Sequence, residues 1–156
     1  MIEIDAIDRA LLRALVEDAG QSAGALARVL GMSQPVIWRR IKRLRDTGVI
    51  KGTRLRLDKA ALGFGVTVFL GIKLATKGRV SLDDFERALT GIPEVQNVEH
   101  VLGLYDYRLR VVARDISDFE RILRRRIMTL PGVGDVEANV LLSEERRPGP
   151  LEALEI

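Results

Sequence analysis

The 156-residue sequence has no cysteine and a single histidine, His100. Disulfide staples, thiolate metal sites and cysteine nucleophiles are thereby excluded, and one imidazole is too few for an all-protein zinc or iron centre. Long apolar runs are missing as well. The longest, Phe64 to Ile72 with two glycines inside it, is far short of the roughly 20 residues that span a bilayer. The acidic start, Met1-Ile2-Glu3-Ile4-Asp5, is unlike the basic n-region of a signal peptide. These absences predict a soluble, cytoplasmic chain with no membrane partner and no cofactor. At 47% apolar and 30% charged residues, the chain is long enough for one compact domain or two small ones with a true core.

Charge of either sign is plentiful, but it is not evenly spread. Residues 1–38 and 57–156 each carry a net −2, whereas the eighteen positions 39–56 hold eight cations against Asp46 alone, a local excess of +7. Those cations are Arg39, Arg40, Lys42, Arg43, Arg45, Lys51, Arg54 and Arg56. A field of that strength attracts a polyanion; its structural alternative is a solvated helix face.

Periodicity places the cluster on a helix. Asp5 caps a first helix with Ile7, Leu11, Leu12, Leu15 and Val16 on one face, ending at Asp18-Ala19-Gly20. Ser22 caps a short second helix through Leu26, Ala27 and Leu30, and Gly31 supplies the left-handed residue that stops it. Ser33 opens a third helix, Pro35 fits its first turn, and Ile37, Ile41 and Leu44 form the inward stripe. Helix, turn and basic helix in this spacing predict a helix-turn-helix that binds double-stranded DNA. Ser33, Gln34 and Pro35 then lie at the recognition helix's N-terminus, where base edges and phosphates are met. Gln34 suits adenine and Arg39 guanine, while Lys42, Arg43, Arg54 and Arg56 suit phosphates. Trp38 fits a sugar or thymine methyl as well as a protein neighbour. Arg40 fits a structural ion pair as well as a DNA contact.

After Gly48 the pattern turns to alternation, with Val49-Ile50 and then Leu55 and Leu57 between charged residues, which predicts short wing strands and a linker over 49–63. Val66, Val68, Leu70, Ile72 and Leu74 follow as one face of a strand. Phe69 and Ala75 on its other face predict cover on both sides. Downstream lies an internal repeat: Asp84-Phe85-Glu86-Arg87-Ala88-Leu89 leads to Ile92-Pro93, and Asp118-Phe119-Glu120-Arg121-Ile122-Leu123 leads to Leu130-Pro131. The second copy is longer by four residues, about one helical turn. Adding the strands at Tyr107–Ala113 and Val136–Leu142 gives β-α-β-β-α-β, the ferredoxin-like pattern. The chain therefore reads as α+β: a winged-type helix-turn-helix over residues 1–50, a wing and linker strand over 51–63, a ferredoxin-like domain over 64–143 and a solvated tail over 144–156.

Taken together, Ile7-Asp8-Arg9-Ala10-Leu11-Leu12, Gly31-Met32-Ser33, Val36-Ile37-Trp38-Arg39-Arg40-Ile41-Lys42-Arg43-Leu44, Gly48-Val49-Ile50, Gly103-Leu104-Tyr105-Asp106-Tyr107 and Leu130-Pro131-Gly132-Val133 resemble the Lrp/AsnC, or feast/famine, transcriptional regulators over nearly the whole chain. The resemblance implies a regulator, not an enzyme. It also implies C-terminal domains that form a homodimer and higher homo-oligomers, and a small-molecule effector, an amino acid or related metabolite. It puts the effector at the turn between two strands, here His100, Val101, Leu102, Gly103, Tyr105 and Asp106. Backbone N–H groups there suit a carboxylate and Asp106 an ammonium. The same residues also make an ordinary hairpin turn, with Asp106 fixing it through backbone bonds, and His100 suits simple packing. The dimer is expected to join through a doubly apolar sheet around Val66–Ala75 and to set two recognition helices about one DNA turn, ~34 Å, apart or a multiple of that.

Two alternatives come from other classes. An RNA-binding ferredoxin-like module needs exposed rings on its central strand, and Tyr107-Arg108-Leu109-Arg110-Val111-Val112 offers one. A tetrapyrrole-decarboxylase-like enzyme of similar architecture uses histidines, of which His100 is the sole example.

Overall fold

A computed structural model describes residues 3–75 and 82–145. The chain divides into two compact units, one reaching to Arg56 and the other running from Leu57 to Glu144.

The first unit holds α1 (Ala6–Glu17), α2 (Ala23–Leu30) and α3 (Gln34–Asp46). Asp5 caps α1 by accepting from the Asp8 N–H at 2.7 Å, and the Asp8 carboxylate accepts from the Asp5 N–H at 3.3 Å, a reciprocal capping box. Ser22 caps α2 through Ala25 N–H. Gly31 ends it at φ 63°, a left-handed turn that a Cβ would strain. Leu11, Leu12, Leu26, Ala27, Ile37 and Leu44 form the core between the helices, with Ile41 and Leu30 at its margin. Val16, expected on the buried face, is 49% exposed in the last turn of α1.

The short wing strands expected over 49–63 do not form. Residues 51–58 are irregular and exposed, and 59–63 are turns. Leu55 and Leu57 mimic strand alternation, yet a strand requires a neighbour for its N–H and C=O groups, and none of the three helices can supply one. Leu55 is left 85% exposed.

The second unit is a four-stranded antiparallel sheet, β1 (Val66–Leu74), β2 (Val95–His100), β3 (Tyr107–Ala113) and β4 (Val133–Val140), in the order β2-β3-β1-β4. Helices α4 (Leu82–Leu89) and α5 (Ile116–Ile122) complete the ferredoxin-like βαββαβ arrangement, as the repeat predicts. The extra length of the second copy appears as a five-residue π-helical turn, Leu123–Ile127, continuing α5. Ile122 and Ile127 are both buried. Five residues of α-helix would set them about 140° apart, so the wider turn, closed by Met128 N–H to Leu123 C=O at 2.8 Å, returns Ile127 to the core face.

Val68, Leu70, Ile72 and Leu74 pack with Leu109, Val111, Phe85, Leu89, Phe119 and Ile122 on the helix side of the sheet. Opposite them, the register aligns Phe69 with Arg110 and Asn139, and Gly71 with Arg108 and Glu137. The expectation of a doubly apolar sheet is therefore corrected: the outer face is largely polar, and the chain covers part of it itself. The Arg110 guanidinium lies 5.4 Å over the Phe69 ring and bonds both carboxylate oxygens of Glu144 at 2.9 and 3.1 Å. Of the expected tail, residues 146–156 lie outside the described residues. Among the described residues no helix is long and apolar enough to cross a membrane.

Candidate functional site

Helix α3 has an inward edge and an outward face. Ile37 and Leu44 are buried, whereas Gln34, Pro35, Trp38, Arg39, Lys42 and Arg45 are exposed, Trp38 at 61%. Trp38, Ile41, Lys42, Arg45 and Asp46, spaced at helical intervals, line a shallow cleft of about 280 Å³ on that face. Ser33 precedes the helix in extended backbone and, unlike Ser22, makes no side-chain cap; its hydroxyl remains available to another acceptor or donor. Lys42 pairs with Asp46 at 2.7 Å, both more than half exposed. A pair so exposed contributes little and exchanges readily for a stronger anion. Arg39 and Arg45 have no ion pair among the described residues. Arg54 and Arg56 stand exposed in the irregular segment beyond the helix.

The other two arginines of α3 point inward. Arg40 Nη1 lies 2.7 Å from Asp5 Oδ2 and 2.8 Å from Asp8 Oδ1, and Arg43 Nη2 bonds Asp8 Oδ2. Asp8 is wholly buried. A buried carboxylate is tolerable only when paired and hydrogen-bonded, and these two guanidiniums with the Asp5 N–H satisfy it. The Asp5 carboxyl is held below its ordinary range, first by the Asp8 backbone N–H and then by Arg40. Of the two roles open to Arg40, the structure displays the ion pair. Arg43, expected on a phosphate, bonds Asp8, with its side chain still about half exposed. Asp8 itself was missed, although its signal was present in the Asp5-x-x-Asp8 spacing of the capping box.

The second candidate region, 100–106, closes the β2–β3 connection. Val101 N–H donates to Asp106 C=O at 3.0 Å and Asp106 N–H to Ile72 C=O at 2.9 Å. The Asp106 carboxylate accepts from Leu74 N–H at 2.8 Å, taking the place of the next backbone rung between β1 and β3. Tyr105 lies against Gly71, where an added Cβ would stand 2.6 Å from the ring, and its hydroxyl donates to Glu137. That bond to a carboxylate, together with loss of water, raises the phenol's pKa. His100 is exposed and its ring stacks on Tyr107, centroids 4.9 Å apart. Tyr107 is buried against Phe85 and donates to Glu86 at 2.9 Å; burial first, then Glu86, pushes its pKa up to about 12. Facing the helices, it offers no ring to a nucleotide base. Leu102, Gly103 and Leu104 form the exposed tip. Nothing lies within 4 Å of a Cβ built on Gly103, so the chain's own fold does not require glycine there. Gly71 and Glu137, which hold the turn, carried no sequence signal, because their roles depend on strand register.

Family models match both units: "Winged helix-turn-helix DNA-binding" over residues 4–51 and "Lrp/AsnC ligand binding domain" over 67–151. The chain is 32% identical over 141 residues to the DNA-binding transcriptional activator DecR of Escherichia coli (strain K12), covering 90% of this chain and 93% of that one. It is 33% identical over 138 residues to the Bkd operon transcriptional regulator of Pseudomonas aeruginosa, covering 88% and 90%. Among solved structures, an AsnC family transcriptional regulator from Agrobacterium tumefaciens superposes with TM-score 0.85 at 31% identity, covering 97% of this chain and 99% of that one. A feast or famine regulatory protein from M. tuberculosis, complexed with L-methionine, gives TM-score 0.82 at 28% identity, covering 94% and 97%. The relatives are named as transcriptional regulators, and neither the RNA-binding nor the decarboxylase alternative finds support among them. A three-helix DNA-binding unit, an antiparallel ferredoxin-like unit and two matching family models together place this chain in the Lrp/AsnC family of DNA-binding transcriptional regulators.

Proposed function

We propose that this protein docks α3 in the major groove of duplex DNA, with Gln34 and Arg39 toward base edges, Trp38 toward sugar or a thymine methyl, and Lys42, Arg54 and Arg56 toward phosphates. Ser33 and Pro35 lie at the helix N-terminus, where free backbone N–H groups favour a phosphate. The observation that carries the reading is the outward face of α3: Trp38, Arg39, Lys42 and Arg45 exposed on a helix whose opposite edge is packed. A homodimer or larger homo-oligomer built on the C-terminal unit presents two such helices to one duplex. The role is non-catalytic and exercised in the cytoplasm, beside the DNA.

The C-terminal unit, in the same reading, binds an amino acid at the 100–106 turn. The L-methionine complex of a similar regulator supports that chemical class. In this chain Val101 to Leu104 supply free surface and close backbone approach, while Tyr105 and Asp106 hold the turn in place. An effector changes DNA occupancy only by binding one assembly better than another.

Gel-shift titration tests the first part. Arg39→Ala and Lys42→Ala are each expected to weaken DNA binding several-fold while the oligomer, followed by light scattering, is unchanged. Full affinity in both variants removes α3 from the interface.

A further inference from the structure

The five cations of α3 do not form one set. Arg39, Lys42 and Arg45 are on the outward face, whereas Arg40 and Arg43 close on Asp8 at the first turn of α1. With Asp5 included, two guanidiniums meet two carboxylates and the inner cluster is neutral. We propose that Asp8 is a positioning residue for DNA recognition, one that commits Arg40 and Arg43 to fixing α3 on α1 and so withholds both from the phosphates. This rests on α3 being the DNA-binding helix.

The reasoning turns on what a phosphate contact by Arg43 would require. Its side chain is 48% exposed, so the outer part of the guanidinium is within reach of solvent. Moving it to a phosphate would strip a partner from a carboxylate with no solvent contact, and would leave that negative charge facing a polyanion. Both changes oppose the move. Arg40 is fixed more firmly, bonding two carboxylates from a single nitrogen. The acid end of the cluster also sits at the N-terminus of α1, where the helix dipole favours negative charge. The pins lie three residues apart on α3, both on one side of the Ile37 and Leu44 stripe, so they fix that edge of the helix against α1. The sequence's +7 excess therefore overstates the field offered to DNA by the two arginines that Asp5 and Asp8 neutralise.

Counterion release measures this directly, because each phosphate neutralised contributes about −0.9 to the slope of log K against log salt. The full-length chain is titrated by fluorescence anisotropy with a mixed-sequence duplex between roughly 50 and 200 mM salt. Lys42→Ala, at a position assigned to phosphate, is expected to make the slope shallower by about 0.9 for each engaged helix, a change of about 3.5-fold in affinity ratio over that range. Arg43→Ala is expected to run parallel to the parent. Asp8→Asn, which frees Arg43 and keeps the side chain's shape, is expected to steepen the slope by a similar increment, and Asp8→Asn with Arg43→Ala to restore it. A slope for Arg43→Ala as shallow as that of Lys42→Ala overturns the proposal, as does an Asp8→Asn slope equal to the parent's. Should Asp8→Asn lose its helical circular dichroism, the Lys42 and Arg43 variants decide alone. A shallower slope in Lys42→Ala shows that α3 binds DNA whatever Arg43 does, whereas a parent chain with no salt-dependent binding sinks the DNA reading itself.

Discussion

Replacing Gly71 by alanine tests whether the 100–106 turn is held by ring packing on β1. A Cβ at position 71 would stand 2.6, 2.7 and 2.8 Å from Cδ2, Cγ and Cε2 of Tyr105. Ordinary carbon contacts begin near 3.5 Å, so the ring must retreat by roughly 1 Å. Rotation alone is insufficient, because Cγ is adjacent to the tyrosine backbone; the turn itself has to lift, loosening the bond from the Tyr105 hydroxyl to Glu137. Overpacking of this kind costs about 1–3 kcal/mol. Against it stands a gain of about 0.5–1 kcal/mol for removing a mid-strand glycine. The net expectation is a loss of up to about 2.5 kcal/mol, or about 4–8 °C in Tm for each kcal/mol in a unit of this size. Urea denaturation followed by circular dichroism measures it. The decisive comparison is made in a Tyr105→Ala background, where the obstacle is gone and Gly71→Ala should stabilise by about 0.5–1 kcal/mol. If the substitution has the same sign in both backgrounds, the ring does not rest on Gly71.

Three further outcomes follow from the same geometry. Tyr107 has its pKa raised to about 12 by burial and Glu86, so its contribution is complete below the unfolded value of 10 and is lost as pH climbs through about 12; the urea midpoint should fall across that window and fall less in Tyr107→Phe. Gly31→Ala meets open space but a φ of 63°, so it should cost about 1–2 kcal/mol through backbone strain alone, with Gly31→Asn costing less in the same melt. Gly103→Val should leave stability unchanged, since no atom lies near its Cβ, yet lower amino-acid binding in calorimetry; equal binding by the variant would remove position 103 from the effector site.

The architecture was legible because periodicity reports burial. Ile37 and Leu44 fall at helical spacing, Val68, Leu70 and Ile72 at strand spacing, and Phe85 and Phe119 open two copies of one repeat, and all are buried as that spacing demands. What escaped depends on partners distant in sequence. Leu55 and Leu57 alternate like a strand, but the segment 51–58 pairs with no strand and stays irregular and exposed. Phe69 looked like part of a second apolar face, yet the register sets it beside Arg110. Arg43 and Arg39 are chemically equivalent in the sequence, and only the position of Asp8, thirty-five residues from Arg43, separates a cation clamped to a buried carboxylate from one left on the outward face.

The two ends of the proposed function therefore rest on fixed platforms. The turn at 101–106 is tied to β1 by Asp106 N–H on Ile72 and by the Asp106 carboxylate on Leu74, and Tyr105 presses on the same strand. An effector bound there meets a turn whose base cannot yield without breaking those bonds, so little of its binding free energy goes into ordering the turn. A ligand shifts an equilibrium only through a difference in its affinity for two states. With the base rigid, the proposed effector is expected to create that difference at the exposed tip, Leu102 to Leu104, against another copy of the chain in the proposed oligomer. Two leucines more than 70% exposed flank Gly103 there, and burying them in one assembly but not another supplies an apolar term, about 1.5–3 kcal/mol for each leucine fully covered. A coupling of that size changes DNA occupancy by tenfold or more, with no movement inside either unit.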